Sequence, residues 1–150
     1  HVSRFVFGEE PVRAIGVMES DPQMGTDRLT SVILEYPSGQ CIFTCSTQMV
    51  PYQRAHFHGT KGRVELEIPF NAAPDRPARI FIDDGGDLFG ASISVEEFPA
   101  CDQYTLQGEA FSRSIREGSP VPVSLEDSLN NMRVIEAITR SVSSGKWEQV

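Results

Sequence analysis

The residues whose types and spacing could carry chemistry are few. His56 and His58 lie two apart in an extended stretch, so both imidazoles project from the same side of a strand. Some sites present paired nitrogen ligands to a metal in this way. A third ligand would have to come from elsewhere, such as His1 or Asp83, and no second ligand pair of recognisable spacing accompanies them. Two histidines on a semi-polar sheet face beside Arg54 are the simpler reading, and no metal is expected. The run Gly85-Gly86-Asp87-Leu88-Phe89-Gly90 follows a strand and invites comparison with a phosphate cradle. It lacks G-x-G-x-x-G and G-K-[ST] spacing, and Asp83, Asp84 and Asp87 would repel a pyrophosphate, so a hairpin turn is expected instead. No cofactor-binding residue follows from spacing anywhere in the chain. There is no G-x-S-x-G elbow. The carboxylate pairs Asp83-Asp84 and Glu126-Asp127 sit where a turn and a helix N-terminus already account for them.

The chain has 150 residues, a size that suits one domain with its own core. Against 13 basic residues stand 21 acidic ones, for a net charge of −8. That balance argues against nucleic acid and against an anionic membrane surface as partners. No apolar run approaches the roughly 20 residues of a membrane-spanning helix, and no signal-peptide pattern opens the chain. Cys41, Cys45 and Cys101 are an odd set. Four residues along a strand separate the first two by about 13 Å, too far for a disulfide. Buried or half-buried free thiols in a reducing cytoplasm are therefore expected.

Residues 1–7 place Val2, Phe5 and Val6 on one helical face, with Gly8 in the stop position. This reads as the end of a helix whose beginning is missing, so the chain is expected to be a piece of something longer. A period close to two then predicts strands over 12–19, 28–36, 40–49, 52–58, 63–68, 78–83 and 92–97. Short turns between them favour antiparallel pairing. Cys41, Phe43, Cys45 and Met49 alternate with polar residues, and Val64, Leu66 and Ile68 oppose Arg63, Glu65 and Glu67. One sheet face should thus bury a core, the other staying semi-polar. Asp102 is placed to cap a helix running to about Glu117, with Tyr104, Phe111 and Ile115 on one side. Ser124-Leu125-Glu126-Asp127 resembles a capping box opening a second helix, whose stripe is Leu125, Leu129, Met132, Ile135, Ile138 and Val142. Both stripes are expected to be core. The fold class is α+β, an open, mostly antiparallel sheet with helices packed on one face.

Five stretches in order carry a resemblance. They are Ser3-Arg4-Phe5-Val6-Phe7-Gly8-Glu9-Glu10-Pro11-Val12, Gly59-Thr60-Lys61-Gly62-Arg63-Val64-Glu65, Pro69-Phe70-Asn71, Gln103-Tyr104 with Gln107, Phe111 and Ile115, and Ser124-Leu125-Glu126-Asp127 with Asn131-Met132-Arg133-Val134-Ile135. Together they resemble the C-terminal domain of the glucose–fructose oxidoreductase, inositol dehydrogenase and rhizopine-catabolism (Gfo/Idh/MocA) family. The resemblance implies a fold like the C-terminal domains of dihydrodipicolinate reductase and glyceraldehyde-3-phosphate dehydrogenase. It also implies a two-domain parent using NAD or NADP, in which a Rossmann domain absent from this chain holds the cofactor. This half would shape the site for a small-molecule substrate, a sugar, polyol or related compound, and form a dimer or larger oligomer through its open sheet face.

The family's catalytic Lys belongs to an E-K-P motif, which neither Lys61 nor Lys146 occupies. Its catalytic Tyr or His, in a D-x-G-x-[YH] pattern, is expected about one helical turn upstream of His1. No catalytic residue is therefore expected within 1–150, and the chain alone should be inactive. His1, Phe70, Asn71 and Tyr104 are the candidates for lining the substrate. The alternative reading is a non-catalytic binding or assembly module with the same fold.

Overall fold

The computed structural model describes residues 1–150 as two compact units, one comprising His1–Val50 with Val123–Val150 and the other Pro51–Pro122. The first unit contains α1 (Val2–Phe7), β1 (Arg13–Ser20), β2 (Asp27–Tyr36), β3 (Gly39–Ser46), α3 (Leu125–Ser144) and β8 (Glu148–Gln149). The second contains β4 (Ala55–Gly59), β5 (Gly62–Leu66), β6 (Ala78–Asp83), β7 (Ser94–Phe98) and α2 (Gln103–Glu117). The expected antiparallel α+β class is present, its strands forming two four-stranded sheets ordered β3-β2-β1-β8 and β4-β5-β6-β7. The stretch over 47–54, which contains Pro51 and Tyr52, forms no strand, although the Thr47 N–H still donates to the Arg28 carbonyl at 3.2 Å. Strand β8 carries no periodic signal because it is only two residues long.

In the first unit the register aligns Ala14 with Leu34, Gly16 with Val32, Leu34 with Cys41 and Val32 with Phe43, so these share one sheet face. Helix α3 packs on that face over β1. The core is Ala14, Val32, Leu34, Tyr36, Val134, Ala137 and Ile138, with Phe7, Cys41 and Val150 at its edge. Two small residues allow the close approach. Ser141 is wholly buried, and its Oγ accepts from the Gly16 backbone N–H at 2.9 Å. A Cβ on Gly16 would stand 3.2 Å from Ile138 Cγ2. The stripe expected to be the core of α3 holds only in part, at Ile138 and the half-buried Val142. Leu125, Leu129, Met132 and Ile135 stay largely exposed, while Ala137 and Ser141 make the seam. Bulk hydrophobicity favours the larger side chains, whereas the sheet selects the residues that let two backbones meet.

The second unit hides little. Phe57, Val64, Leu66, Ile80 and Ile82 share one face of its sheet and are half-buried, and Tyr104, Phe111 and Ile115 on α2 are exposed rather than core. The opposite face is a ladder of charges. Arg54 pairs with Glu65 at 3.0 Å, Arg63 with Asp83 at 2.8 Å, and Arg79 with Glu67. Gly62 must be glycine for steric reasons, since at φ 147° any Cβ would strike the carbonyl of Asp83. Cys45 and Cys101 are exposed and only Cys41 is half-buried, which corrects the expectation of uniformly sheltered thiols. Burial pushes the Cys41 and Cys45 thiols up, away from thiolate.

Replacing Ser141 with Ala removes the acceptor from a backbone N–H at this seam. Stability should fall by about 1–3 kcal/mol in urea unfolding with an unchanged slope. An unaltered midpoint would show that Gly16 finds another partner.

Candidate functional site

The N-terminal residues form the densest polar cluster in the first unit. Helix α1 is short, and it is fixed by side chains. Tyr36 hydrogen-bonds Ser3 at 2.8 Å and stacks on Phe7 with centroids 4.3 Å apart. Arg4 lies on the inner side of α1, its side chain only 4% exposed. Its Nε and Nη2 donate to the two carboxylate oxygens of Glu10, each at 2.6 Å. Nη2 also donates to Asp127 Oδ1 at 2.8 Å, while Nη1 is buried without a partner. The fork geometry and low exposure make this a strong link. The Glu10 hydrogen bonds hold the guanidinium pKa above its ordinary value, and Arg4 in turn holds the Glu10 carboxyl below the usual glutamate range. Asp127 completes the cluster by accepting His1 Nε2 on its second oxygen at 2.8 Å.

Half of the expected capping box is present. The Ser124 hydroxyl accepts from the Asp127 N–H at 3.0 Å, but the Asp127 carboxylate does not return to the Ser124 backbone. It is turned toward Arg4 and His1 instead. Spacing alone hides this, because Arg4 and Asp127 lie 123 positions apart in the chain. The one available sign was an arginine within the apolar turn of α1.

Phe70, Asn71 and Tyr104 belong to the second unit. The backbone N–H groups of Phe70 and Asn71 both donate to Gln53 Oε1, at 3.3 and 3.2 Å. Gln103 Nε2 donates to the Phe70 carbonyl at 3.1 Å, which ties the loop to the start of α2. The Asp102 carboxylate caps α2 through the Tyr104 N–H, and its hydrogen bonds, that of the Thr105 hydroxyl foremost, lower its pKa. The Phe70 and Tyr104 rings are thus exposed on an anchored backbone, a suitable arrangement for meeting a ligand. Gln53 and Gln103, which do the anchoring, are amides without a distinctive spacing.

Elsewhere the chemistry is absent or satisfied. His56 and His58 stack with centroids 6.2 Å apart, His56 Nδ1 lies 3.7 Å from Glu65, and no group of three or more His, Cys, Asp or Glu residues is placed to hold a metal. In the glycine-rich hairpin the N–H groups of Gly85, Gly86 and Phe89 already donate to the carboxylates of Asp83, Asp84 and Asp87, so these three donors are not free for a phosphate. Hydrogen bonds from Gly85, Ser92 and Arg63 hold the Asp83 carboxyl low.

Because Arg4 lowers the Glu10 pKa in the folded state, that carboxylate stabilises the fold above the ordinary glutamate range and loses its contribution as pH falls through it. The protein should therefore lose more stability between about pH 7 and about pH 3.5 than its Glu10→Gln variant does. Equal losses in urea titrations would show that the link is electrostatically silent.

Comparison with known proteins places these features. Residues 1–150 match the family described as the oxidoreductase family, C-terminal alpha/beta domain (GFO_IDH_MocA_C). The chain is 43% identical over 149 residues to an uncharacterised oxidoreductase of Rhizobium meliloti, covering 99% of this chain and 45% of that protein. It is 31% identical over 137 residues to a D-xylose 1-dehydrogenase (NADP(+)) of Haloferax volcanii, covering 90% of this chain and 40% of that one. The crystal structure of an aldose–aldose oxidoreductase from Caulobacter crescentus, complexed with glycerol, superposes with a TM-score of 0.79 at 26% identity, over 99% of this chain and 44% of its own. The chain thus spans less than half the length of these relatives. With a match over every residue and the same antiparallel α+β architecture, the chain belongs to the Gfo/Idh/MocA oxidoreductase family, corresponding to its C-terminal domain.

Proposed function

We propose that residues 1–150 are the substrate-side half of an NAD(P)-dependent oxidoreductase acting on a CH–OH group or carbonyl of a sugar or polyol, an aldose foremost. The observation that carries this reading is the 31% identity, over nine-tenths of the chain, to a protein named for D-xylose and NADP. The glycerol complex of the aldose–aldose oxidoreductase supports a polyhydroxylated ligand. The division of labour follows from chemistry. Hydride transfer needs a nicotinamide held against the substrate carbon and a group to handle the hydroxyl proton. The glycine-rich hairpin spends three of its N–H groups on its own aspartates, and neither Lys61 nor Lys146 lies in an E-K-P context. Its own contribution is to bind and orient the substrate, for which His1, Phe70, Asn71 and Tyr104 are the candidates.

The open face of the first sheet supports self-association. Val17 and Ile42 are each 73% exposed there, beside Ile15 and Ile33 and the Ser31–Thr44 hydroxyl pair. Clustered apolar side chains rimmed by the Arg13–Glu35 and Arg28–Glu19 pairs suit a second copy of the chain.

The test is an assay of the full-length protein with NAD+ or NADP+ and a panel of aldoses. Substrate-dependent reduction of one cofactor is expected. No turnover with any sugar or polyol, despite tight nicotinamide binding, would favour a non-catalytic module. Sedimentation should show at least a dimer that Ile42→Arg reduces to monomer, and a monomeric wild type would contradict the assembly role.

A further inference from the structure

We propose that His1 is a hydroxyl-binding residue of the substrate site, and that Asp127, Arg4 and Glu10 are positioning residues that hold its imidazole in a single tautomer, with Nε2 protonated and Nδ1 free to accept. The inference rests on the reading of this chain as the substrate-side half.

In the neutral ring, the contact with Asp127 selects this tautomer. One guanidinium faces two carboxylates, and Glu10 takes the bidentate fork. Asp127 keeps one oxygen on Arg4 and offers the other to His1 at 2.8 Å. A carboxylate oxygen only accepts, so the nitrogen facing it must carry the proton. In the neutral ring the opposite nitrogen, Nδ1, is then an acceptor. A buried carboxylate fixes the histidine tautomer in hydrolase triads by the same logic.

A purely structural link would not need the histidine. Arg4, with its side chain 4% exposed, already ties α1 to Glu10 and to the first turn of α3, whereas the His1 side chain is 48% exposed. What Asp127 does for His1 is to orient it. The Nη1 of Arg4 is buried without a partner, so the cluster retains one unmet donor. The ligand suited to Nδ1 is a group with an O–H to donate, such as a hydroxyl of a polyhydroxylated small molecule.

Two measurements on the full-length protein test this. The first uses nitrogen-resolved NMR of histidine side chains, with the His1 signals identified by their loss in His1→Gln. Wild type should show the Nε2–H tautomer at neutral pH, and Asp127→Asn should shift His1 toward Nδ1–H. The same tautomer in both proteins, or Nδ1–H in wild type, overturns the positioning role without reference to any substrate. The second compares wild type and His1→Gln with the preferred aldose. KM for the sugar should rise about tenfold, with kcat within about threefold and cofactor affinity unchanged. An unchanged KM overturns the hydroxyl contact. A wild type that turns over no sugar defeats the functional reading, and the substrate contact with it, while the tautomer measurement still decides the positioning claim.

Discussion

A guanidinium leaves water at great cost unless carboxylates meet its charge, and Arg4 imposes that demand on the N-terminal half of the chain. Its burial against Glu10 and Asp127 explains why a helix of six residues is held at all, since so short a helix has little stability of its own. The same link draws the Asp127 carboxylate away from the cap of α3 and gives it to His1. Removing one partner of such a cluster would leave charge without compensation, so its members depend on one another. The Phe7–Tyr36 stack and the Ser3–Tyr36 hydrogen bond add the apolar half of the attachment, and burial raises the Tyr36 pKa accordingly.

Much of the architecture can be read from periodicity and turn chemistry. Strand alternation, the Asp102 and Ser124 caps and the glycine stops at Gly8, Gly118 and Gly145 all coincide with the observed elements. The packing is less legible. Leu125, Leu129, Met132 and Ile135 of α3 stay exposed while Val134 and Ile138 enter the core beside Ala137 and Ser141, two small residues that carry little hydrophobic signal. In the second unit, strand alternation correctly separates an apolar from a charged face, yet neither face is deeply buried within that unit. Periodicity reports which side chains share a face, not what covers it.

The candidate site divides in the same way. Phe70, Asn71 and Tyr104 lie in stretches whose order along the chain carries the family resemblance, and the structure adds the amides of Gln53 and Gln103 that fix their backbone. His1 was legible as a candidate. Its supports were not, because a contact between residues 123 apart leaves no local pattern. In the glycine-rich hairpin three aspartates engage the N–H groups of Gly85, Gly86 and Phe89, a case where charge and hydrogen bonding both disfavour a phosphate. These features support the proposed assignment of the chain to orienting a substrate.

The most direct test of that assignment is a crystal structure of the full-length protein with an aldose and NAD(P) bound. The account predicts the dinucleotide phosphates held outside residues 1–150. It also predicts His1 Nδ1 within hydrogen-bond reach, roughly 2.6–3.2 Å, of a sugar hydroxyl. A dinucleotide held by these residues, or a sugar bound with no contact to them, would contradict it.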